Sequence, residues 1–422
     1  MIPFSLDEIA TLCPGRLDAA PWADEVTGVQ IDSRLIEEGD LFFAVGDGDA
    51  YGGHAFARGA AATLVPEHAF AELAALGSAV RARSSARVVG ITGSTGKTST
   101  KDILAAFCHP QARTVAAEGG HNNEIGLPLT LTRIEPETEV VICEMGMRGL
   151  GQIRELCAIA RPDVAVITSI GPVHLELLGT VERVAEAKAE VVASLPSGGF
   201  AIVPDEPLLA PFLRRDDIEI RRFSPEQVES FERTDQGCRV GFVLGDRTLE
   251  LEFPFTARHQ AQNAVPALLA LEALDLELPA GRVDVELSRW RGEESLLPGG
   301  GLLINDSYNA NPTSMRAALE HLATHDGRLV AVLGDMAELG TAGPEYHREI
   351  GELARDLGVD VVLPVGELAR EYVNGGTPVA RDAEEAAEMI GRLFQPGDVV
   401  LVKGSRAIGL ERVAEALTSA ER

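Results

Sequence analysis

The residues best equipped for chemistry in this 422-residue chain lie in Val88–Thr100, VVGITGSTGKTST. An apolar run that reads as a buried strand meets the turn Gly93-Ser94-Thr95-Gly96. Lys97, Thr98 and Ser99 then open a helix. Backbone N–H groups in such a turn can wrap a phosphate, Lys97 can reach the outer phosphates and Thr98 can hold Mg²⁺. The longer pattern G-x-x-x-x-G-K-[ST] is not met, because Ile91 stands where its first glycine belongs. The loop is a compact variant.

A second candidate is Lys188. The chain has four lysines (Lys97, Lys101, Lys188, Lys403) against 33 arginines, so a lysine marks a task that a guanidinium does not perform. Helix Val181–Leu195 has a 3-4 spaced apolar face, and Lys188 falls on it. One reading is a lysine that snorkels or pairs with an acid. The other is an amine kept from water with a lowered pKa, able to take up CO₂ as a carbamate and so become an anionic metal ligand. Glu144 and His174 follow strand ends, as Lys97 does. Ser33 and Arg34 offer a hydroxyl beside a fork of donors, suited to a diphosphate, or else an ordinary turn with a solvated arginine.

The elements that must position these residues follow a recurrent order. Residues 1–86 read as a small α/β unit with strands at Val26–Ile31 and Leu41–Val45. From Arg87 the pattern is strand, loop, helix, repeated, which predicts a largely parallel sheet with ligands at its C-terminal edge. Residues 205–255 read as shorter, less regular β structure. Arg258–Asn263 opens an Ala/Leu-rich helix, and RGEESLLPGGG (291–301) reads as a linker. A second α/β unit starts at Leu302. The predicted division is 1–86, 87–298 and 299–422.

Composition narrows the class. With 65 acidic and 37 basic residues the formal net charge is −28, which argues against a nucleic-acid surface. Any anionic substrate must be held by local positive groups. Five scattered cysteines form no CxxC pair, as expected of a reducing, cytoplasmic setting. No apolar run is long enough to cross a bilayer, and the first residues lack the basic start of a signal peptide.

The stretches IDSRLIEEGDLFFAV, GSTGKTSTK, NNEIGLPLTL, EMGMRGLGQI, IGPVHLELLGTVERVAEAKAE, RHQAQN, NDSYNANPTSM, LGDMAELG and VLVKGSR together resemble the Mur ligases, ATP-dependent amide-bond synthetases of peptidoglycan assembly. The resemblance covers nearly the whole chain. It implies an α/β protein of three domains: a UDP-sugar domain, a central P-loop ATPase with a mostly parallel sheet, and a Rossmann-like C-terminal domain. YNANPTSM followed by GDMAELG points to UDP-N-acetylmuramoyl-tripeptide and D-alanyl-D-alanine as substrates, joined through an acyl phosphate. The expected state is a monomer.

Carried over by position, the resemblance implies ATP contacts from Gly93, Ser94, Thr95, Gly96, Lys97, Thr98, Ser99, His259, Asn263, Asp306, Asn309 and Asn311. It implies substrate contacts from Ser33, Arg34, Asn122, Asn123, Lys403, Ser405 and Arg406. Catalysis would rest on Lys97, Glu144, His174 and Lys188. Two Mg²⁺ sites would use Thr98, Glu144, His174 and a CO₂-derived carbamate on Lys188. Three stretches depart from the family pattern. Gly120 replaces the first Asn of G-N-x-N-N, VPDEP (203–207) replaces an Asn with paired Asp, and RGEES (291–295) replaces a Gly-Arg. The rival readings are another amide ligase of the superfamily and a non-catalytic nucleotide-binding regulator. The Asp-Asn-Pro-Arg motif of the diamino-acid adders does not occur. A regulator would not need Glu144, His174 and Lys188 together.

Overall fold

The computed structural model describes residues 1–298, 300–375 and 377–419. Its centre is a six-stranded, all-parallel sheet. The spatial order is Glu219–Phe223, Phe200–Pro204, Val164–Ile167, Arg87–Thr92, Val140–Glu144, Thr114–Ala116. Arg87–Thr92 lies inside, with the chain continuing on one side of it to Val140–Glu144 and on the other to Val164–Ile167. That reversal opens a crevice at the C-terminal edge, where an open α/β sheet takes its ligand. The four inner strands are buried on both faces, as parallel strands between helices are.

Helix Lys97–Cys108 runs from the phosphate-type turn and packs on helix Arg258–Ala273. Helix Val181–Ala193 starts at Thr180, whose side chain accepts a hydrogen bond from Arg183 N, and buries Val184, Ala185, Lys188, Val191 and Val192. Glu190 on the same helix accepts from Gly151 N (2.6 Å) and Arg154 N (3.0 Å), satisfying the N-terminus of helix Gln152–Ala160. Residues 228–253 form an antiparallel meander that shares an apolar core with helix Arg258–Ala273 and one face of the central sheet.

The N-terminal unit is a four-stranded mixed sheet, ordered Gly15–Ala19, Ala62–Pro66, Asp40–Phe43, Gly28–Gln30. The predicted strand at Val26–Ile31 is instead two short strands, Glu25–Val26 and Gly28–Gln30. Helix Ala69–Arg83 ties this unit to the centre: Arg81 donates to Ala160 O and Arg161 O and pairs with Asp163.

The C-terminal sheet is ordered Glu293–Leu296, Leu302–Asn305, Val399–Lys403, Leu329–Gly334, Val361–Val365. Four strands are parallel and the first is antiparallel. The expected linker at 291–301 is therefore corrected: Glu293–Leu296 is an edge strand, in register with Leu302–Asn305. The C-terminal sheet begins six residues before the predicted division at 299. No helix among the described residues is long and apolar enough to cross a membrane.

Candidate active site

A cleft of about 470 Å³ lies over the C-terminal edge of the central sheet. Its walls come from the central and C-terminal units. Ser94–Ser99, Asn122 and Glu144 form the floor, His259 and Asn263 one side, and Asp306, Asn309, Asn311 and Lys403 the roof. Sequence positions more than 300 apart thus meet in one space.

The turn is held from below. Thr168 Oγ1 donates to Thr95 O (2.6 Å), and Ser169 Oγ accepts from Thr95 N (2.9 Å). Gly96 has φ +82°, and a Cβ there would collide with Asn263 Oδ1. Both facts require glycine. The exposed side of the turn faces the cleft, as a phosphate cradle should. Lys97 Nζ donates to Gly93 O (2.7 Å), which holds its ammonium across the turn. Burial lowers the Lys97 pKa; Glu144 opposes that shift and Arg291 adds to it.

Glu144 is the last residue of its strand and is buried. Thr98 Oγ1 donates to its Oε2 (2.7 Å) and Asn122 Nδ2 to its Oε1 (2.8 Å). A hydroxyl and a carboxylate at this separation are a hard oxygen pair of the kind Mg²⁺ takes. His174 and Lys188 stand outside the cleft walls but in electrostatic contact with Lys97. His174, at φ +54°, places Nδ1 against the Glu338 carboxylate of the C-terminal unit. Burial pushes the His174 pKa down, and the nearby Lys188 adds to the effect.

Lys188 is 2% exposed. It makes no hydrogen bond or ion pair among the described residues. Burial, then Lys97, drive its pKa well down. An unpaired buried ammonium is costly, so the surroundings favour the neutral amine. These surroundings suit a carbamate, and no acid among the described residues pairs with the amine. The acid two residues on, Glu190, is committed to the helix beside it.

Across the roof, Lys403 Nζ pairs with Asp306 Oδ2 (2.6 Å) and donates to Asn309 O (2.9 Å). Asn311 Nδ2 donates to Ser94 O (3.3 Å), joining the C-terminal unit to the phosphate-type turn. Burial pushes the His259 pKa down to about 4, against the pull of Asp306.

Other predicted residues do not face the cleft. Asn123 Oδ1 accepts from Ile125 N and Gly126 N, starting helix Gly126–Leu131. Ser405 Oγ accepts from Ala337 N (2.8 Å), and Arg406 pairs with Glu411 (2.8 Å) over the Trp290 ring. Ser33 is hydrogen-bonded to His54 Nδ1 (2.9 Å), and Arg34 is paired with Asp32 (2.6 Å) in the N-terminal unit.

Sequence reasoning passed over Arg291 and Tyr308, both in the cleft wall. The Arg291 guanidinium lies 4.0 Å over the Tyr308 ring, and the Tyr308 hydroxyl occupies the space a Cβ on Gly120 would need. The departure at Gly120 thus makes room for a tyrosine from the other unit. The signal was present as two unexplained changes, Gly120 and the RGEES stretch, whose connection is visible only in three dimensions. Pro204, Asp205 and Phe223 form a further wall at the departing VPDEP stretch.

Comparison with known proteins follows the same outline. The Mur ligase middle domain matches residues 91–271, and the Mur ligase, glutamate ligase domain matches 292–406. The UDP-N-acetylmuramoyl-tripeptide–D-alanyl-D-alanine ligase of Escherichia coli is 32% identical over 455 residues, covering 99% of each chain. A crystal structure of MurF from Acinetobacter baumannii superposes with a TM-score of 0.84 at 27% identity, covering 99% of each chain. MurF ligase from Thermotoga maritima, solved in complex with ADP, gives 0.79 at 29% identity over 93% of this chain and 97% of that one.

Proposed function

We propose, from the premise that this chain belongs to the Mur ligase family, that it joins D-alanyl-D-alanine to UDP-N-acetylmuramoyl-tripeptide in peptidoglycan precursor synthesis, with ATP cleaved to ADP and phosphate. The full-length match to relatives of that activity carries the reading. The convergence of NDSYNANPTSM on the phosphate-type turn supports it.

The peptide carboxylate attacks the γ-phosphorus, the bond to ADP breaks and an acyl phosphate forms. The dipeptide's amine then attacks that carbonyl; phosphate leaves and one proton is lost. Each step brings anions together, so charge neutralisation is the main demand. Lys97 meets it directly. Thr98 and Glu144 are the residues that would hold Mg²⁺, which when bound spreads phosphate charge. Lys188, as a neutral amine, forms an N–C bond to CO₂ and loses a proton. The resulting carbamate and His174 would hold a second Mg²⁺. Asn311 ties the roof to the turn, the Asp306–Lys403 pair fixes the roof itself, and together they shield the acyl phosphate from water. Ser33 and Arg34 would take the UDP-sugar in the N-terminal unit, residues 1–86. The setting is cytoplasmic, where the nucleotide-linked precursor is made.

Phosphate release measured with ATP and Mg²⁺ tests the assignment. It should require the UDP-muramoyl-tripeptide and D-alanyl-D-alanine together. Turnover with a single amino acid in place of the dipeptide would sink the reading in favour of another amide ligase of the family.

A further inference from the structure

Behind the cleft wall lies a second cluster with no part in the reaction above. His321 and His325 are four residues apart at the end of helix Pro312–Leu322, and Glu294 reaches them from the edge strand. Glu294 Oε1 is 2.8 Å from His321 Nε2 and 3.8 Å from His325 Nε2. In a tetrahedral zinc site with bonds near 2.0 Å, neighbouring ligand atoms stand about 3.3 Å apart. The two distances from Glu294 bracket that spacing, the ligand atoms of the three residues all lie within 4.8 Å of one another, and His321 is buried.

The tautomers also suit a metal. His325 Nδ1 donates to the backbone oxygens of His321 (3.1 Å) and Leu322 (3.3 Å), which leaves the lone pair on Nε2. Such a backbone contact orients a metal-binding imidazole. Thr256 Oγ1 donates to the Glu294 carboxylate. A cation already samples the cage. Arg233, on the meander of the central unit, places Nη2 3.1 Å from His321 Nδ1 and 3.1 Å from His325 Nε2. The C-terminal unit supplies three donors, and the central unit plugs them with a guanidinium.

We propose that Glu294, His321 and His325 form a site for a zinc-class divalent cation, with Arg233 as its built-in competitor. Withdrawal of Arg233 frees His325 Nε2. The His321 proton moves from Nε2 to Nδ1, where the guanidinium had donated, so Nε2 becomes a ligand without net proton release. Two imidazoles and a carboxylate favour Zn²⁺ over Mg²⁺, and water fills the fourth position. The site touches the cleft through His259, whose ring stands edge-on to His321 at 6.2 Å.

The test uses the full chain in saturating Mg²⁺, without nucleotide, with Zn²⁺ binding followed by equilibrium dialysis and Co²⁺ binding by visible absorption. R233M should bind one Zn²⁺ at least tenfold more tightly than the parent and give the intense Co²⁺ bands of tetrahedral coordination. Adding H325A to R233M should abolish both. Equal affinity in R233M and the parent, retention in the double variant, or a weak octahedral Co²⁺ spectrum would overturn the proposal. Thermal melting checks that R233M is folded; should it not be, R233Q is read by the same criteria.

Discussion

Lys188 brings an amine to a place where an ammonium is poorly tolerated, and that makes its chemistry testable. Lys188→Arg should lower kcat by more than about 100-fold, the scale of losing a preorganised charge-stabilising group. Overpacking costs about 1–3 kcal/mol, and the permanently charged, unpaired guanidinium adds to that, so thermal melting first establishes that the variant is folded. Lys188→Ala should regain activity with added acetate or formate, and ¹³C-bicarbonate should give the parent a carbamate resonance that the variant lacks. An active Lys188→Arg enzyme would end the carbamate role. His259 offers a pH experiment. Its folded pKa of about 4 lies below the ordinary value of 6.5. Between those values the unfolded chain binds the proton and the folded chain does not. Stability from this residue is therefore complete above pH 6.5 and is lost as pH falls towards 4, by up to about 3 kcal/mol. Urea unfolding from pH 4 to 7 should show a shallower slope for His259→Gln than for the parent. The sequence disclosed Lys188 because a lone lysine on an apolar stripe is a local pattern. It did not disclose Arg291 or Tyr308, since their role depends on each other and on a glycine nearly 190 residues away from Tyr308.

Among elements, the strand, turn and helix around Gly93–Thr98 are legible to within a residue, because periodicity and turn chemistry are local. Gly96→Ala should test how tightly that turn is specified. It adds a left-handed strain of about 1–2 kcal/mol and a clash with Asn263. ATP-dependent phosphate release should fall at least tenfold, while substrate-free stability measured by melting falls only modestly. The same locality misled the reading of residues 291–301. Pro298 and the following glycines resemble a linker, but Glu293–Leu296 gains a partner strand across the turn. Its Leu296 is 84% exposed, so no apolar alternation marked it. Edge strands are set by a neighbour, and a neighbour is not a property of the segment.

On the scale of the molecule, one apolar core runs through all three units, and Glu338 adds a polar weld between two of them. From the C-terminal unit it meets His174, pairs with Arg148 (3.3 Å) and accepts Glu176 N at its backbone oxygen (3.1 Å). An outer carboxylate that orients a ligand histidine commonly matters 10–100-fold. Glu338→Gln should thus reduce kcat by that range with little change in the KM for ATP, in steady-state phosphate release. An equal rise in KM would instead indicate loose docking of the unit. Lys101, Lys188 and Lys403 are at most 4% exposed, and Lys97 is in the cleft. The outer surface is therefore bare of lysine amines. Acylating dyes, amine cross-linkers and lysine-directed tagging enzymes find no ordinary foothold, and a reagent that does modify a lysine has entered the reaction chamber.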